Sequence, residues 1–146
     1  MPRPDLTMDP AVRAAFLAEE RVLRLAVVDA DGWPDVVPLW FVHHADPRGE
    51  LWIWNLTRSR RTADLARGAR CGVTVDGGEA YAELRGLTAR ATPTAVADDE
   101  VPLEVRLAFS RKYFAHDEPL APAHHHRWFA LTLTGERSWD FRRLGG

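Results

Sequence analysis

The sequence predicts a mainly β fold with helices, in which six antiparallel strands form a closed or nearly closed barrel. About six segments are rich in β-branched and aromatic residues, and short turn sequences separate most of them. The strands and helices do not alternate regularly, so a parallel sheet is not expected. An antiparallel barrel is favoured because its closure leaves no exposed sheet edges. With 146 residues, 46% apolar and 27% charged, the chain suits a single domain over residues 1–146.

The six predicted strands are bounded by turn residues such as Gly, Asp and Pro. They cover residues 22–28, 33–43, 50–56, 71–76, 80–92 and 126–139. Pro34 and Pro38 lie in the second strand, so we expect an edge, a bulge or a bend near each proline. Gly86 predicts a bulge or bend within the fifth strand.

Helices are predicted at three places between the strands. They cover residues 10–20, 59–67 and 99–114. The first follows Asp9, an N-cap residue, and has Pro10 at its first position. The second begins at Ser59 and stops at Gly68. Residues 116–125 contain prolines and are expected to form a loop.

The turn between the third strand and the second helix is a candidate anion site. It contains two hydroxyls and three guanidiniums, from Thr57, Arg58, Ser59, Arg60 and Arg61. Free N–H groups and the helix dipole attract anions at a helix N-terminus, and the guanidinium fork matches phosphate oxygens. A solvated surface turn is the alternative interpretation, because charge runs are commonly solvated.

Composition and missing motifs exclude several function classes. The net charge is −2, which gives no global basis for binding nucleic acid or an anionic membrane. The single cysteine, Cys71, can form neither an internal disulfide nor a cysteine-based metal site. No signal peptide or bilayer-spanning stretch is evident, so a cytoplasmic protein is expected. Hydrolase and nucleoside-triphosphate motifs are absent as well.

A run of three histidines, residues 124–126, precedes the last strand. On a strand, His124 and His126 would share one face and could begin a metal or haem site. No third ligand has a suitable spacing, so no metal site is assigned. The alternative interpretation is a polar loop end that enters the last strand.

The order of these segments resembles the pyridoxamine-phosphate-oxidase-like family, the FMN-binding split β-barrels. Residues 25–41 resemble its first hairpin, with an acidic-Gly-x-Pro turn and a second strand that ends apolar-Pro-apolar-aromatic. Residues 51–65 resemble the next block: a strand, a Thr, a Ser, a basic residue and a helix ending in Leu. Residues 138–141, Ser-Trp-Asp-Phe, resemble the end of many short members.

This resemblance implies a six-stranded antiparallel split β-barrel and a homodimer with cofactors at the subunit interface. It implies that the cofactor phosphate is held by Thr57, Ser59, Arg60 and Arg61, where Arg61 replaces a common Lys. The ring would lie along the second and third strands. The matching positions are Val37, Pro38, Leu39, Trp54, Asn55 and Leu56.

The implied function is that of a flavin- or deazaflavin-dependent oxidoreductase that moves a hydride to or from a small planar or conjugated substrate. The short form with Ser138–Asp140 is similar to the branch that uses coenzyme F-420, which is favoured over FMN. The basic FMN signature in the second strand is missing here, so vitamin B6 oxidation is not expected. Catalytic residues are not assigned, although Tyr81, Tyr113 and His126 are considered as proton donors. The alternative is a non-catalytic flavin or haem carrier on the same barrel.

Overall fold

A seven-stranded antiparallel sheet and three α-helices make up most of the computed structural model, which describes residues 2–145. The strands are β1 (Leu23–Val28), β2 (Pro34–Leu39), β3 (Phe41–Asp46), β4 (Gly49–Leu56), β5 (Cys71–Gly77), β6 (Arg85–Val96) and β7 (His126–Asp140). The helices are α1 (Pro10–Glu19), α2 (Arg60–Ala66) and α3 (Leu103–Phe114). Within residues 2–145, no helix combines the length and the apolar character that crossing a membrane requires.

The expectation of six strands is wrong by one, because the segment 33–43 divides at Trp40 into β2 and β3. The strand order is β2-β1-β5-β6-β7-β4-β3, so β2 and β3 form the two edges of the sheet. The edge position expected for Pro34 and Pro38 is confirmed, since β2 pairs only with β1. A single residue joins β2 to β3, so the sheet curls until its two edges converge at Trp40.

The fifth predicted strand corresponds to β6, which begins later than predicted and has its bulge at a different position. A 3₁₀ turn covers Tyr81–Glu83, and β6 begins only at Arg85. The register shift against β7 lies between Thr88 and Arg90 rather than at Gly86. Gly86 instead makes room for a side chain, because a Cβ there would lie 2.1 Å from Cζ2 of Trp139.

The predicted helices are present, with one shifted boundary. The last helix begins at Leu103 rather than near residue 99, because Asp98–Glu100 form a separate 3₁₀ turn and Pro102 is the N-cap. The second helix, predicted over residues 59–67, covers Arg60–Ala66, with Ser59 as its N-cap. It is followed by Gly68, whose φ of +79° is a conformation that glycine adopts without strain.

Two apolar clusters lie on opposite faces of β4 and β7. Leu51 and Ile53 belong to the inner cluster, whereas Trp52 belongs to the outer cluster beneath α3. Alternation along β7 follows the same rule, with Phe129 inside and Trp128 outside. The candidate turn therefore follows a strand that is anchored on both faces.

Candidate functional site

Ser59 is the N-cap of α2, and its hydroxyl is used locally. Its Oγ accepts the backbone N–H of Thr62 at 3.1 Å and lies 2.8 Å from Thr62 Oγ1. Thr62 Oγ1 donates to the carbonyl oxygen of Leu56 at 2.7 Å, because a carbonyl has no proton to give. The Ser59 hydroxyl must therefore donate to Thr62. Its oxygen caps the helix by accepting from Thr62 and its proton is donated to the Thr62 hydroxyl, so only a lone pair remains for a ligand.

Arg61 turns back from α2 towards the end of β4. Its Nε donates to Oδ1 of Asn55 at 2.9 Å. Burial lowers the pKa of the Arg61 guanidinium from its ordinary value, while the carboxylate of Asp35 on β2 acts in the opposite direction. Among the described residues, no carboxylate forms an ion pair with Arg61. Arg61 is therefore a partly buried cation that no described carboxylate contacts directly.

The Asn55 side chain holds a second unsatisfied group at the same place. Asn55 is 1% exposed, on the inner face of the sheet with Leu51 and Ile53. Its Nδ2 is buried and has no hydrogen-bond partner in residues 2–145. A buried donor without an acceptor is costly, and so is a partly desolvated cation. An anion or an acceptor oxygen bound here would satisfy both groups.

The remaining residues of the turn face outwards. Thr57 is exposed, and its N–H donates to the His125 carbonyl at 2.8 Å, which ties the turn to the loop before β7. Arg60 is exposed and Leu56 is 55% exposed. Arg60 and Arg61 are the first residues of α2, where backbone N–H groups have no intrahelical acceptor. The turn thus presents cationic and N–H donors to a ligand from outside.

Three of the six residues predicted to lie along a ring meet in one cavity of about 590 Å³. We call it the aromatic cavity. It is lined by Val22, Pro38, Leu39, Trp40, Trp54, Phe109, Phe114 and His126. The end of β2 supplies Pro38 and Leu39, and Trp54 comes from β4. Of the other three, Val37 packs against the inner cluster, Asn55 is on the inner face and Leu56 points to solvent.

Trp54 stacks on His126, and both residues line this cavity. The ring centroids are 3.8 Å apart with an interplanar angle of 20°. The Nδ1 atom of His126 is buried and has no hydrogen-bond partner within the described part of the chain. Burial lowers the pKa of His126 from 6.5, and the neighbouring His125 acts in the same direction. The imidazole is therefore uncharged at neutral pH.

Of the three candidate proton donors, only His126 lines the aromatic cavity. The hydroxyl of Tyr113 lies 2.8 Å from the Phe41 nitrogen and 2.8 Å from the Arg21 carbonyl, and burial raises its pKa to about 12. These bonds give Tyr113 a structural role. Tyr81 is 71% exposed and packs against Phe141, with ring centroids 5.0 Å apart.

The histidine run does not form the pair expected on a strand. His124 and His125 lie in a turn, and β7 begins only at His126. The run therefore enters the last strand as a polar loop end. Within residues 2–145, no three His, Cys, Asp or Glu side chains are grouped so that they could hold a metal ion.

A larger cleft, of about 750 Å³, lies elsewhere on the sheet. It is lined by parts of β1, β5 and β6, with Arg70 and Arg90 among its residues, and contains none of the predicted site residues. Cys71 also lines it and is half-buried, and burial raises the pKa of the thiol to about 11. The thiol is therefore protonated and unreactive at neutral pH.

Sequence reasoning missed the side of the aromatic cavity that α3 provides. Phe109 and Phe114 belong to a helix whose position over β4 follows from tertiary packing alone. The sequence pattern places Trp40 within one strand over residues 33–43, whereas Trp40 joins β2 to β3, the two edges of the sheet. The proline two positions earlier was the available signal for that break.

Comparison with family models identifies one family. A family model described as pyridoxamine 5'-phosphate oxidase matches residues 8–140. No curated protein matches the sequence at a significant level.

The solved structures with a similar fold include proteins with different printed descriptions. The conserved hypothetical protein Rv2991 from Mycobacterium tuberculosis has a TM-score of 0.83 and 24% identity, with 100% of this chain and 93% of that chain covered. HutZ, the heme storage protein from Vibrio cholerae, has a TM-score of 0.72 and 21% identity, covering 92% and 96%. An F420 reductase has a TM-score of 0.62 and 21% identity, covering 84% and 94%. These identities show a shared fold alone.

Proposed function

Because the chain belongs to the pyridoxamine 5'-phosphate oxidase family, we propose that it is a flavin- or deazaflavin-dependent oxidoreductase. In this proposal residues 1–146 form one split β-barrel domain, and a hydride passes to or from a small planar or conjugated substrate. One observation carries it: Pro38, Leu39 and Trp54 line one cavity, and Trp54 leads within a few residues into the arginine turn.

The arginine turn and the end of β4 fit a cofactor phosphate. Arg60 and Arg61 supply guanidinium forks and first-turn N–H groups. Thr57 supplies an exposed hydroxyl, which donates to the His124 carbonyl at 3.4 Å and would turn to the phosphate on binding. The buried Nδ2 of Asn55 supplies one further donor without a partner in the described residues. Ser59 acts here through the helix cap, which fixes the position of Arg60 and Arg61 relative to β4.

The ring would lie beside the ends of β2 and β4, along Val37, Pro38, Leu39, Trp54, Asn55 and Leu56. When bound, the flavin or deazaflavin supplies the hydride chemistry. The protein's own contribution is an apolar wall that excludes water and a cationic turn that fixes the anionic end. Coenzyme F-420 is favoured over FMN, in keeping with the Ser138–Asp140 ending and the similarity to an F420 reductase fold.

A second copy of the chain completes the proposed site. Three apolar side chains near this site are largely exposed. Val36 lies on the edge strand β2, Trp33 immediately precedes that strand, and Leu56 lies at the end of β4, next to the arginine turn. Apolar residues at a sheet edge are commonly covered by association. We therefore propose a homodimer with the cofactor at the subunit interface.

A non-catalytic haem carrier is the second candidate function. The observation that favours it is the unpartnered Nδ1 of His126 beside an aromatic cavity, together with the fold shared with HutZ. Addition of haem should then produce a Soret band that is lost in the His124→Ala/His126→Ala double variant.

The absorption spectrum of the purified protein, followed by cofactor extraction, tests the choice between these functions. A flavin or deazaflavin band supports the oxidoreductase, and a Soret band supports the carrier. A colourless protein that binds neither FMN nor coenzyme F-420 at micromolar concentration contradicts the proposed function.

A further inference from the structure

We propose that the cleft of about 750 Å³ over β1, β5 and β6 is a second binding site, which takes a molecule with an apolar body and one oxyanion group. We call it the sheet cleft. Its volume lies within the range of small-molecule sites. None of the residues assigned to the cofactor lines it, so this inference goes beyond the proposed function and does not depend on it.

The floor of the sheet cleft lies where short side chains meet on neighbouring strands. Ala26 is opposite Gly72 in the register of β1 and β5, and Gly72 is opposite Arg90 in the register of β5 and β6. All three lie on the face opposite the inner cluster, because the next residue along each strand packs in that cluster. A Cβ at Gly72 would meet only the Ala89 carbonyl oxygen, at 3.8 Å, so the space above this strand is open.

Helix α3 covers this side of the sheet elsewhere, but not at the sheet cleft. The outer cluster beneath α3 takes its strand residues from β3, β4, β6 and β7, and none of its described members belongs to β1 or β5. The strands of the floor are paired on both sides, since β1 lies between β2 and β5, and β5 lies between β1 and β6. Their backbone groups are therefore largely used in the sheet, and the floor offers apolar surface to the body of a ligand.

The charge at the sheet cleft is entirely positive. Of the side chains that line it, only those of Arg70 and Arg90 are charged at neutral pH. Both residues are exposed, and neither forms an ion pair with a carboxylate of residues 2–145. Arg24, further along the same face of β1, is by contrast paired with Asp76. Two guanidiniums without a carboxylate attract an oxyanion and repel a cation.

Two hydroxyl groups stand beside these guanidiniums. Thr134 is opposite Arg90 in the register of β6 and β7, and Thr92 lies two residues after Arg90 on the same face of β6. Both threonines are exposed and line the sheet cleft. Guanidinium forks and hydroxyls donate hydrogen bonds to the oxygens of a carboxylate, a sulfonate or a phosphate, so these groups share the chemistry that the cleft recognises.

Calorimetric titration of the full-length protein with four probes at pH 7 tests this selectivity. The probe 2-naphthoate has an apolar body and a carboxylate, whereas 2-naphthylmethanol is uncharged, 2-naphthylmethylammonium is a cation and acetate lacks the apolar body. We expect 2-naphthoate to bind about tenfold or more tightly than each of the other three. Equal binding of the alcohol or of the ammonium probe overturns the role of the arginines, and equal binding of acetate overturns that of the floor.

Arginine variants test where the anion binds. Arg70→Gln/Arg90→Gln should weaken 2-naphthoate about tenfold or more, because it removes both guanidiniums. Arg24→Gln/Arg111→Gln is the charge-matched control, since these exposed arginines pair with Asp76 and Asp117 and do not line the cleft. Unchanged affinity in Arg70→Gln/Arg90→Gln, or an equal loss in the control, overturns the location.

A substitution in the floor tests the apolar part. Gly72→Val should weaken 2-naphthoate, because its side chain fills the open space while valine suits a strand. Thr74→Val is the matched control, two residues further on the same face of β5 and outside the lining. Ala26→Leu narrows the same floor from β1 and replaces Gly72→Val if thermal unfolding shows that variant to be unfolded. Unchanged affinity in a folded floor variant overturns the inference.

Sedimentation velocity distinguishes a small ligand from a second copy of the chain as the occupant. We expect Arg70→Gln/Arg90→Gln to have the same oligomeric state as the parent. A parent that does not bind 2-naphthoate, together with altered association of the variant, would show that the sheet cleft is a subunit contact and overturn the inference.

Titration with FMN and coenzyme F-420 separates this site from the cofactor site. Arg70→Gln/Arg90→Gln should bind each cofactor as the parent does, and 2-naphthoate should not compete with either. Competition would make the sheet cleft a part of the cofactor site and overturn the inference. Selective binding of 2-naphthoate without binding of either cofactor supports the inference and overturns the proposed function alone.

Discussion

Arg61 Nε donates to Asn55 Oδ1 at 2.9 Å, so an amide and not a carboxylate orients this guanidinium. An amide fixes the direction of the side chain and leaves its positive charge unneutralised. Burial of Asn55 makes the arrangement stiff, and its own Nδ2 remains available to an acceptor. The pair is therefore suited to hold an anionic group that arrives from outside the chain.

Asn55→Asp should weaken cofactor binding about tenfold or more, because the new carboxylate neutralises Arg61 where the phosphate is proposed to bind. Fluorescence titration with the cofactor measures the affinity, and urea unfolding checks that the variant is folded. Asp35→Asn is the opposite control, since it removes a carboxylate near Arg61 and should bind the cofactor at least as tightly as the parent. Unchanged affinity in Asn55→Asp would show that Arg61 does not face the anion.

Two substitutions of Ser59 distinguish the effect of the helix cap on stability from the effect of charge on cofactor binding. Ser59→Ala should lower the free energy of unfolding by about 1 kcal/mol, because the N–H of Thr62 loses its acceptor. Ser59→Asp keeps a good N-cap and adds a negative charge, so stability should stay near the parent value while cofactor affinity falls. Urea unfolding and cofactor titration are measured on both variants. Full affinity in Ser59→Asp would place the phosphate away from this turn.

Gly86→Ala should destabilise the protein by about 1–3 kcal/mol, because its Cβ would meet the indole of Trp139 at 2.1 Å. Gly72→Ala is the matched control, since the nearest atom to a Cβ there is the Ala89 carbonyl oxygen at 3.8 Å. That control should be neutral or slightly stabilising. Thermal unfolding of the two variants checks the difference, and equal midpoints would mean that Trp139 does not pack over Gly86.

Turn, proline and capping patterns in the sequence predicted most of the helices and strands. These patterns failed where contacts between distant parts of the chain determine the structure. Pro38 predicted an irregularity, but the break at Trp40 and the seventh strand follow from the curling of the whole sheet. The three helices followed from capping and composition. Gly86 predicted a bulge, whereas the register shift is at Thr88–Arg90 and the glycine accommodates an indole from β7.

The candidate site also has features that the sequence predicted and features that it did not. Turn chemistry located Ser59, Arg60 and Arg61, since these are neighbours in the chain. No local pattern indicated that Asn55 would orient Arg61, or that α3 would close a cavity over Trp54. The contact of α3 with Trp54 joins elements distant in the chain, and a single sequence contains no signal for their meeting. Asn55 and Arg61 are close in the chain, but their contact depends on the angle at which α2 leaves β4, which the sequence does not state.

The free energy of unfolding should decrease as the pH falls from about 7 to about 5. The pKa of His126 is lowered by burial, so the unfolded chain, with its ordinary pKa of 6.5, takes up the proton first. The contribution of His126 to the free energy of unfolding is complete above pH 6.5, and it is lost as the pH falls towards the lower pKa that His126 has in the folded state. His43 acts in the same sense, because burial and Arg13 lower its pKa more than Glu50 raises it. Urea unfolding across this range measures the slope.

The His126→Gln variant is the control for that slope. Glutamine cannot take up the proton, so the decrease in stability between about pH 7 and about pH 5 should become smaller. An identical slope in the parent and in His126→Gln would mean that the imidazole is not desolvated against Trp54.

Titration of the parent, an Arg60→Gln/Arg61→Gln variant and an Arg67→Gln variant with FMN and coenzyme F-420 tests the central claim most directly. Arg67 is the C-cap of α2 and pairs with Asp64 at 3.0 Å, so Arg67→Gln is a control that removes one guanidinium from the opposite end of the helix. We expect micromolar or tighter binding of at least one cofactor to the parent. The Arg60→Gln/Arg61→Gln variant should lose more than about tenfold in affinity, and Arg67→Gln should retain it. No binding of either cofactor to the parent, or equal affinity in the Arg60→Gln/Arg61→Gln variant, would contradict the assignment of this turn as the cofactor phosphate site.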